Sequence, residues 1–346
     1  MLVRKSNIEL LRIIAMLLII LHHSFLQSGI VDIIRESPIN FNTFLMSSLS
    51  IGGKVGVNIF FIITGYFMIS SKTKIIKIIK LSLELIFYAI LTTLIFSVID
   101  PSISNNIFHA IFRCFVDIRY GFIGTWVMVY LVSSFTNELC YSLSQKRFII
   151  LFTFLGIYFS VLSIGGDEYM YSYFSWGIVM YLVGAYIRLY PPKGKSYFYI
   201  IGLLFGIIWL VSVYFSSTVI PHFYRWLLIY SLHPNMIPFV ITSISLFILF
   251  TRLKISSSKI INDLAAGAFA VYICHDAIDY SRSIVWNKII NMQSIFREDF
   301  GVIYVILYAL ALYLVIAFID LFRRRLIEKP FFKFLDCRMP FLNFSY

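Results

Sequence analysis

Runs of seventeen or more predominantly apolar residues recur along the whole length of this chain, and they constrain its fold more than any other feature. They fall at 8–26, 51–70, 81–99, 123–141, 148–164, 172–190, 197–215, 234–250, 260–282 and 302–322. Wound as a helix, a run of this length matches the roughly 30 Å hydrocarbon core of a bilayer. In lipid no water satisfies exposed backbone groups, so such segments cross as α-helices, which close their own hydrogen bonds. Of 346 residues, 60% are hydrophobic and 13% charged, with a mean hydropathy of +0.87. A soluble domain carries roughly twice that charged fraction. The expectation is an all-α integral membrane protein: a polytopic bundle of about ten transmembrane helices, forming a single domain over 1–346 with no appended soluble domain.

A net charge of +12 would suit a nucleic-acid partner if the basic residues were clustered. They sit instead in short segments between apolar runs, the pattern imposed by anionic lipid at a cytoplasmic face, so the expected partner is the bilayer and not nucleic acid. With the N-terminus inside, 20 of the 29 Lys and Arg fall in cytoplasmic segments and 8 on the other side, while Arg12 lies within the first run. That bias predicts both termini in the cytoplasm and a location in the cell membrane. The longer segments near 27–50, 100–122, 216–233 and 283–300 then lie outside, and their Pro, Ser, Asn and aromatic residues suit short interfacial helices around a cleft. The first run reads as a retained helix, because an arginine and two histidines interrupt it and no small-x-small cleavage site follows. Cys114, Cys140, Cys274 and Cys337 are scattered without metal or disulfide spacing, and no metal is expected. Gly202 and Gly206 make one GxxxG, a helix-packing device.

Chemistry concentrates in the first run, NIELLRIIAMLLIILHHSF. Arg12 and His23 are eleven residues apart, which puts them within about 20° of one helix face and about 16.5 Å apart along the axis. His22 is rotated roughly 80° from that line, so His23 is the better partner. Alone, Arg12 would read as a snorkelling cation and His23 as a packing polar residue. Sharing one face of an intramembrane helix, they cost several kcal/mol to bury and point to function. Histidine is also the usual proton acceptor near neutral pH.

Several segments, in order, resemble the bacterial membrane acyltransferase family 3, which includes polysaccharide O-acetyltransferases. Arg12 and His23 match the arginine and histidine separated by ten residues on that family's first helix. FFIITGYFM, Phe60 to Met68, resembles its FFxxSGY segment, with Thr64 in the serine position. Lys74, Lys77 and Lys80 occupy the register of its basic RxxR stretch. TWVMVYL (Thr125 to Leu131), YLVGAYIRLY (Tyr181 to Tyr190) and AVYICHDAI (Ala270 to Ile278) are similar to its later helices. The chain departs from the pattern in three places. Lysine replaces arginine in the basic stretch, which loses bidentate phosphate geometry. Gly124 stands two residues before Trp126, where the family often has histidine, and Asp276 follows His275 where proline or an apolar residue is common.

The resemblance implies acyl-CoA, with acetyl-CoA as the expected form, as donor and a hydroxyl of a cell-surface or exported glycan as acceptor. In that reading Arg12 with Lys74, Lys77, Lys80 and Tyr66 holds the CoA, and His23 acts as general base or as acyl carrier. Asn58, Thr64, Trp126, His275 and Asp276 are candidate site-lining residues, although His275 also suits a packing role and Trp126 aromatic packing. Glu84, four residues after Lys80, suits a local ion pair. Asp117, Arg119, His222, Arg225, His233 and Arg282 lie on the expected outer side, where a sugar would arrive. The competing reading is a transporter or channel, with Arg12, His23, Glu84 and His275 lining a path.

Overall fold

The computed structural model describes residues 5–37, 40–106, 112, 121–162, 172–219 and 233–338, and among them there is no strand. The helices are α1 (Ser6–Gln27), α2 (Ile30–Glu36), α3 (Phe41–Met68), α4 (Ile75–Ile99), α5 (Phe122–Leu131), α6 (Ser133–Ser142), α7 (Gln145–Gly156) and α8 (Tyr173–Leu189). They continue with α9 (Ser196–Val219), α10 (Ile237–Arg252), α11 (Lys259–Ala266), α12 (Ala268–Tyr272), α13 (Asp279–Ser283), α14 (Met292–Arg297), α15 (Gly301–Arg323) and α16 (Lys329–Arg338). Most of the described residues of the ten apolar runs are helical. By length and composition four stretches are able to cross a membrane: α1, α3, α4 and Gly301–Leu335. Phe122–Leu131, Tyr173–Leu189, Ser196–Trp209 and Ile237–Arg252 are shorter apolar helices. Leu94, Ile95 and Val98 on α4, Ile201, Leu204 and Ile208 on α9, and Leu307, Val315 and Phe318 on α15 are exposed. Whole faces of this kind are stable against lipid and not against water. The chain is a helical membrane protein.

α3 begins at Phe41, ten residues before the predicted run. A capping box explains the start: Thr43 N–H donates to the Asn40 side chain at 2.9 Å, and Asn40 N–H donates to Thr43 Oγ1 at 2.8 Å. The polar stretch that follows satisfies itself within the helix. Ser47 Oγ donates to Thr43 O, Ser48 Oγ to Phe44 O and Ser50 Oγ to Ser47 O, each at 2.8 Å.

The ninth run, predicted as one span over 260–282, is interrupted instead. Gly267 separates α11 from α12, a π-helical turn follows over Ile273–Ala277, and Ile278 is extended (φ −115°, ψ 126°) before α13. Arg282 Nε donates to the Asp276 carbonyl at 2.8 Å, which satisfies a backbone oxygen that the break would strand. This turn carries His275 and Asp276.

α1 runs through the middle of the bundle, packing along α3 and touching α10, α11, α12 and α15. Met16, Ile19, Ile20 and Leu21 join a core with α4, α12, α14 and α15, whereas Ile8, Leu11 and Ala15 join a second core with α3, α5, α8 and α10. Buried polar groups fix these contacts. Asp320, fully buried, accepts from Tyr88 Oη at 3.0 Å, Arg323 Nε at 2.8 Å and Arg324 Nε at 2.7 Å, tying α4 to α15. Glu84 meets Arg323 across the same interface, with 3.4 Å between Oε1 and Nη2. At the opposite end of α4, Asp100 pairs with Lys288; that ammonium and two bonds from Ser102 hold its carboxyl down at about 2.

Candidate active site

His23 sits on the penultimate turn of α1, partly buried and facing the π-helical turn. His275 Nδ1 lies 2.6 Å from the Val271 carbonyl, which only accepts, so Nδ1 carries the proton. In the neutral ring Nε2 of His275 is therefore an acceptor, and it lies 3.0 Å from His23 Nδ1. His23 donates through Nδ1, which leaves its Nε2 unprotonated, with no hydrogen-bond partner among the described residues. One backbone carbonyl thus sets the tautomer of two imidazoles in series. Asp276 Oδ1 stands 3.6 Å from His23 Nδ1, near enough to stabilise an imidazolium there, and Arg282 Nε donates to that same oxygen at 3.2 Å. Tyr272 and Trp286 wall this pair, with ring centroids 6.0 Å from that of His275.

His22 is used differently. It donates through Nδ1 to the Ser50 carbonyl at 2.7 Å, tying α1 to α3. The two helices meet closely here: a Cβ on Gly53 would stand 2.3 Å from His22 Cβ, and one on Gly56 would stand 2.5 Å from the Ala15 carbonyl. Glycine at these positions sets the depth and rotation of the histidine turn against α3. Lys54, between them, reaches Asp276 and both histidines through space.

A cavity of about 270 Å³ opens between α1, α3, α4, α5 and α11–α12. Arg12, Lys77, Thr64, Trp126, Phe122 and Tyr272 are among the residues lining it. Arg12 is fixed by Glu9, Nη1 to Oε2 at 2.9 Å, and Trp126 Nε1 donates to Thr64 Oγ1 at 3.0 Å. Trp126 stacks on Tyr130 with centroids 5.4 Å apart and planes 17° apart, and Lys77 lies over the Tyr130 ring at 5.7 Å. The cavity stops at Phe122 and Tyr272, whose rings are 5.6 Å apart, and the Tyr272 ring is 6.3 Å from that of His23. An aromatic pair thus stands between the cavity that Arg12 lines and the histidine turn.

The structure brings Arg12, Lys77, Thr64 and Trp126 together around the cavity, and His23, His275 and Asp276 just beyond it. Asn58 lies elsewhere: fully buried, it donates to the Pro234 carbonyl and accepts from Trp176 Nε1, both at 2.8 Å. Lys74 caps α4, its N–H donating to Tyr130 Oη at 2.8 Å, and Lys80 lies over the Phe332 ring at 4.6 Å; neither lines the cavity. Tyr66 points away from it, toward Lys5 and Arg188. Asp117, Arg119, His222, Arg225 and Cys114, with the side chain of Cys337, lie outside the described residues.

Four participants escaped the sequence reading: Glu9, Tyr272, Phe122 and Lys54. Glu9 was legible as an acid three residues before Arg12, the spacing of a helical ion pair. Lys54, inside the run predicted over 51–70, reads from the sequence only as a cation toward the outer side, because its approach to Asp276 depends on a neighbour far away in sequence.

A family model described as an acyltransferase domain matches residues 5–320, most of the chain. No curated protein and no solved structure matches.

Proposed function

Since the chain belongs to membrane acyltransferase family 3, we propose that it moves an acyl group, acetyl in the simplest case, from cytosolic acyl-CoA to a hydroxyl of a cell-surface or exported glycan. The termini and the Arg12 end of the bundle face the cytoplasm in this reading, as the distribution of Lys and Arg favours. Family membership leaves the transporter reading without support.

The observation that carries the mechanism is the tautomer chain from Val271 through His275 to His23. It leaves His23 Nε2 as a lone pair, which is what a general base requires. The pantetheine arm enters past Arg12, whose guanidinium keeps donors to spare beyond its bond to Glu9. The Tyr272 ring swings aside to admit the thioester. The acceptor hydroxyl gives its proton to His23 Nε2 as its oxygen bonds to the thioester carbon. Collapse of the tetrahedral adduct breaks the C–S bond, and the imidazolium returns the proton to the departing thiolate. Asp276 balances the charge that His23 carries between these steps.

The test is purified protein in liposomes, supplied with labelled acetyl-CoA and cell-envelope glycan. Label is expected in the glycan with matching release of free CoA thiol; glycan uptake without CoA consumption would reject the proposal. His275→Ala is expected to lower kcat by roughly tenfold or more with little change in KM for acetyl-CoA, because the base loses its fixed tautomer and not its place. Equal loss in both parameters would assign His275 to donor binding.

A further inference from the structure

At the Arg12 end of the bundle, two cations converge on one phenol. Lys5 Nζ donates to Tyr66 Oη at 2.9 Å and Arg188 Nη1 donates to it at 3.4 Å. Both also lie over the Tyr66 ring, each 5.2 Å from its centroid. Among the described residues neither cation is in an ion pair. Arg12, by contrast, is balanced by Glu9, Arg323 and Arg324 by Asp320, and Arg325 by Asp263. Two like charges held this close repel, and a neutral hydroxyl offsets that only in part. An anion would complete the arrangement.

The backbone fixes all three partners. Tyr66 is 7% exposed, with its ring 5.4 Å from that of Phe247. α3 and α8 touch through glycine, since a Cβ on Gly184 would stand 2.8 Å from Tyr66 N, and Gly184 lies one turn before Arg188. The start of α1 is anchored by Asn7, whose amide donates to the Phe250 and Leu253 carbonyls at 2.8 Å and 3.2 Å. Lys5 and Arg188 themselves are exposed, so the site is open to solution.

We infer that Lys5, Arg188 and the Tyr66 hydroxyl bind a dianionic phosphate monoester; resting on the donor reading above, that ligand is the 3′-phosphate of acyl-CoA. Two cations and a hydroxyl match a group of charge near −2 with three acceptor oxygens, whereas a phosphodiester carries one charge. CoA has a single phosphate monoester, far from its thioester. Lys5 lies seven residues, about 10 Å of helix, beyond Arg12 on the side away from His23. The same cations would also attract lipid phosphate, so the test separates the two sources.

KM and kcat are measured for acetyl-CoA and for acetyl-3′-dephospho-CoA, in nanodiscs of neutral and of anionic lipid, with the wild type and a Lys5→Gln, Arg188→Gln double variant. Calorimetry with adenosine 3′,5′-bisphosphate gives a readout independent of turnover. The double variant is expected to raise KM for acetyl-CoA about tenfold or more, with kcat and the dephospho-donor KM unmoved. Bisphosphate affinity should fall in parallel. Equal changes for both donors, or none, would overturn the assignment, and so would an effect seen only in anionic lipid, which would make this a headgroup site. Absence of transfer from either donor with the wild type would reject the donor reading and this inference with it. Transfer without discrimination between the donors would reject this inference alone.

Discussion

Replacing His23 with alanine is expected to slow acyl transfer by roughly two to four orders of magnitude, the range for loss of a positioned general base. The folded protein should survive. His23 lies at a partly buried position between helices, and its loss leaves one acceptor, His275 Nε2, without its donor. That costs about 1–3 kcal/mol, a fraction of a typical folding stability. His23→Gln keeps a side-chain donor for His275 but supplies no base, and is expected to be as inactive as alanine. Transfer is followed with labelled acetyl-CoA, and folding by size-exclusion profile and thermal midpoint in detergent. An inactive glutamine variant with a wild-type melting profile assigns the loss to chemistry. Retained transfer in either variant would remove His23 from the mechanism.

The second large effect falls on assembly. Gly65→Ala is expected to be strongly destabilising, because the added Cβ would lie 2.0 Å from the Tyr181 carbonyl oxygen. Gly184→Ala meets the same obstacle from the other side, 2.0 Å from the Ile62 carbonyl oxygen. Backbone blocks both positions, so no rotamer change relieves the contact and α3 must part from α8. Overpacking of this kind costs about 1–3 kcal/mol, and more where the backbone itself must move. Gly156→Ala is the control, since nothing lies within 4 Å of its Cβ position. It is expected to be neutral or slightly stabilising in its helix. A drop in thermal midpoint for Gly65→Ala and Gly184→Ala, with none for Gly156→Ala, is the predicted pattern. Equal midpoints for all three would contradict the close approach that also brings Tyr66 to Arg188.

Much of the helical frame was legible, because lipid as solvent leaves the chain few alternatives: an apolar run of the right length becomes a helix. Boundaries were less so where polar residues satisfy themselves inside a helix. Serines bonded to the preceding turn make the first third of α3 look like a loop, and that is why the run predicted over 51–70 starts ten residues late. The break after His275 was invisible for the opposite reason. AVYICHDAI has ordinary helical character, and nothing in it marks the π-helical turn whose Asp276 carbonyl accepts from Arg282.

The site divided along the same line. Helical periodicity sufficed to choose His23 over His22, and the structure gives each a different partner, His275 for one and the Ser50 carbonyl for the other. Spacing could not show that Tyr272 and Phe122 stand between His23 and the cavity that Arg12 lines, because those two rings arrive from other helices. Nor could the three lysines be sorted: only Lys77 faces the cavity, since Lys74 caps α4 and Lys80 turns to Phe332.

The central claim is that a cytosolic thioester passes Arg12 and arrives at His23, and its most direct test is a structure of the protein with bound acetyl-CoA. The account predicts the pantetheine arm in the cavity beside Arg12, Thr64 and Trp126, the Tyr272 ring displaced, and the acetyl carbonyl carbon within hydroxyl-attack reach of a site beside His23 Nε2. Acetyl-CoA bound with its thioester outside this cavity, and Tyr272 still closed over the histidine pair, would contradict it.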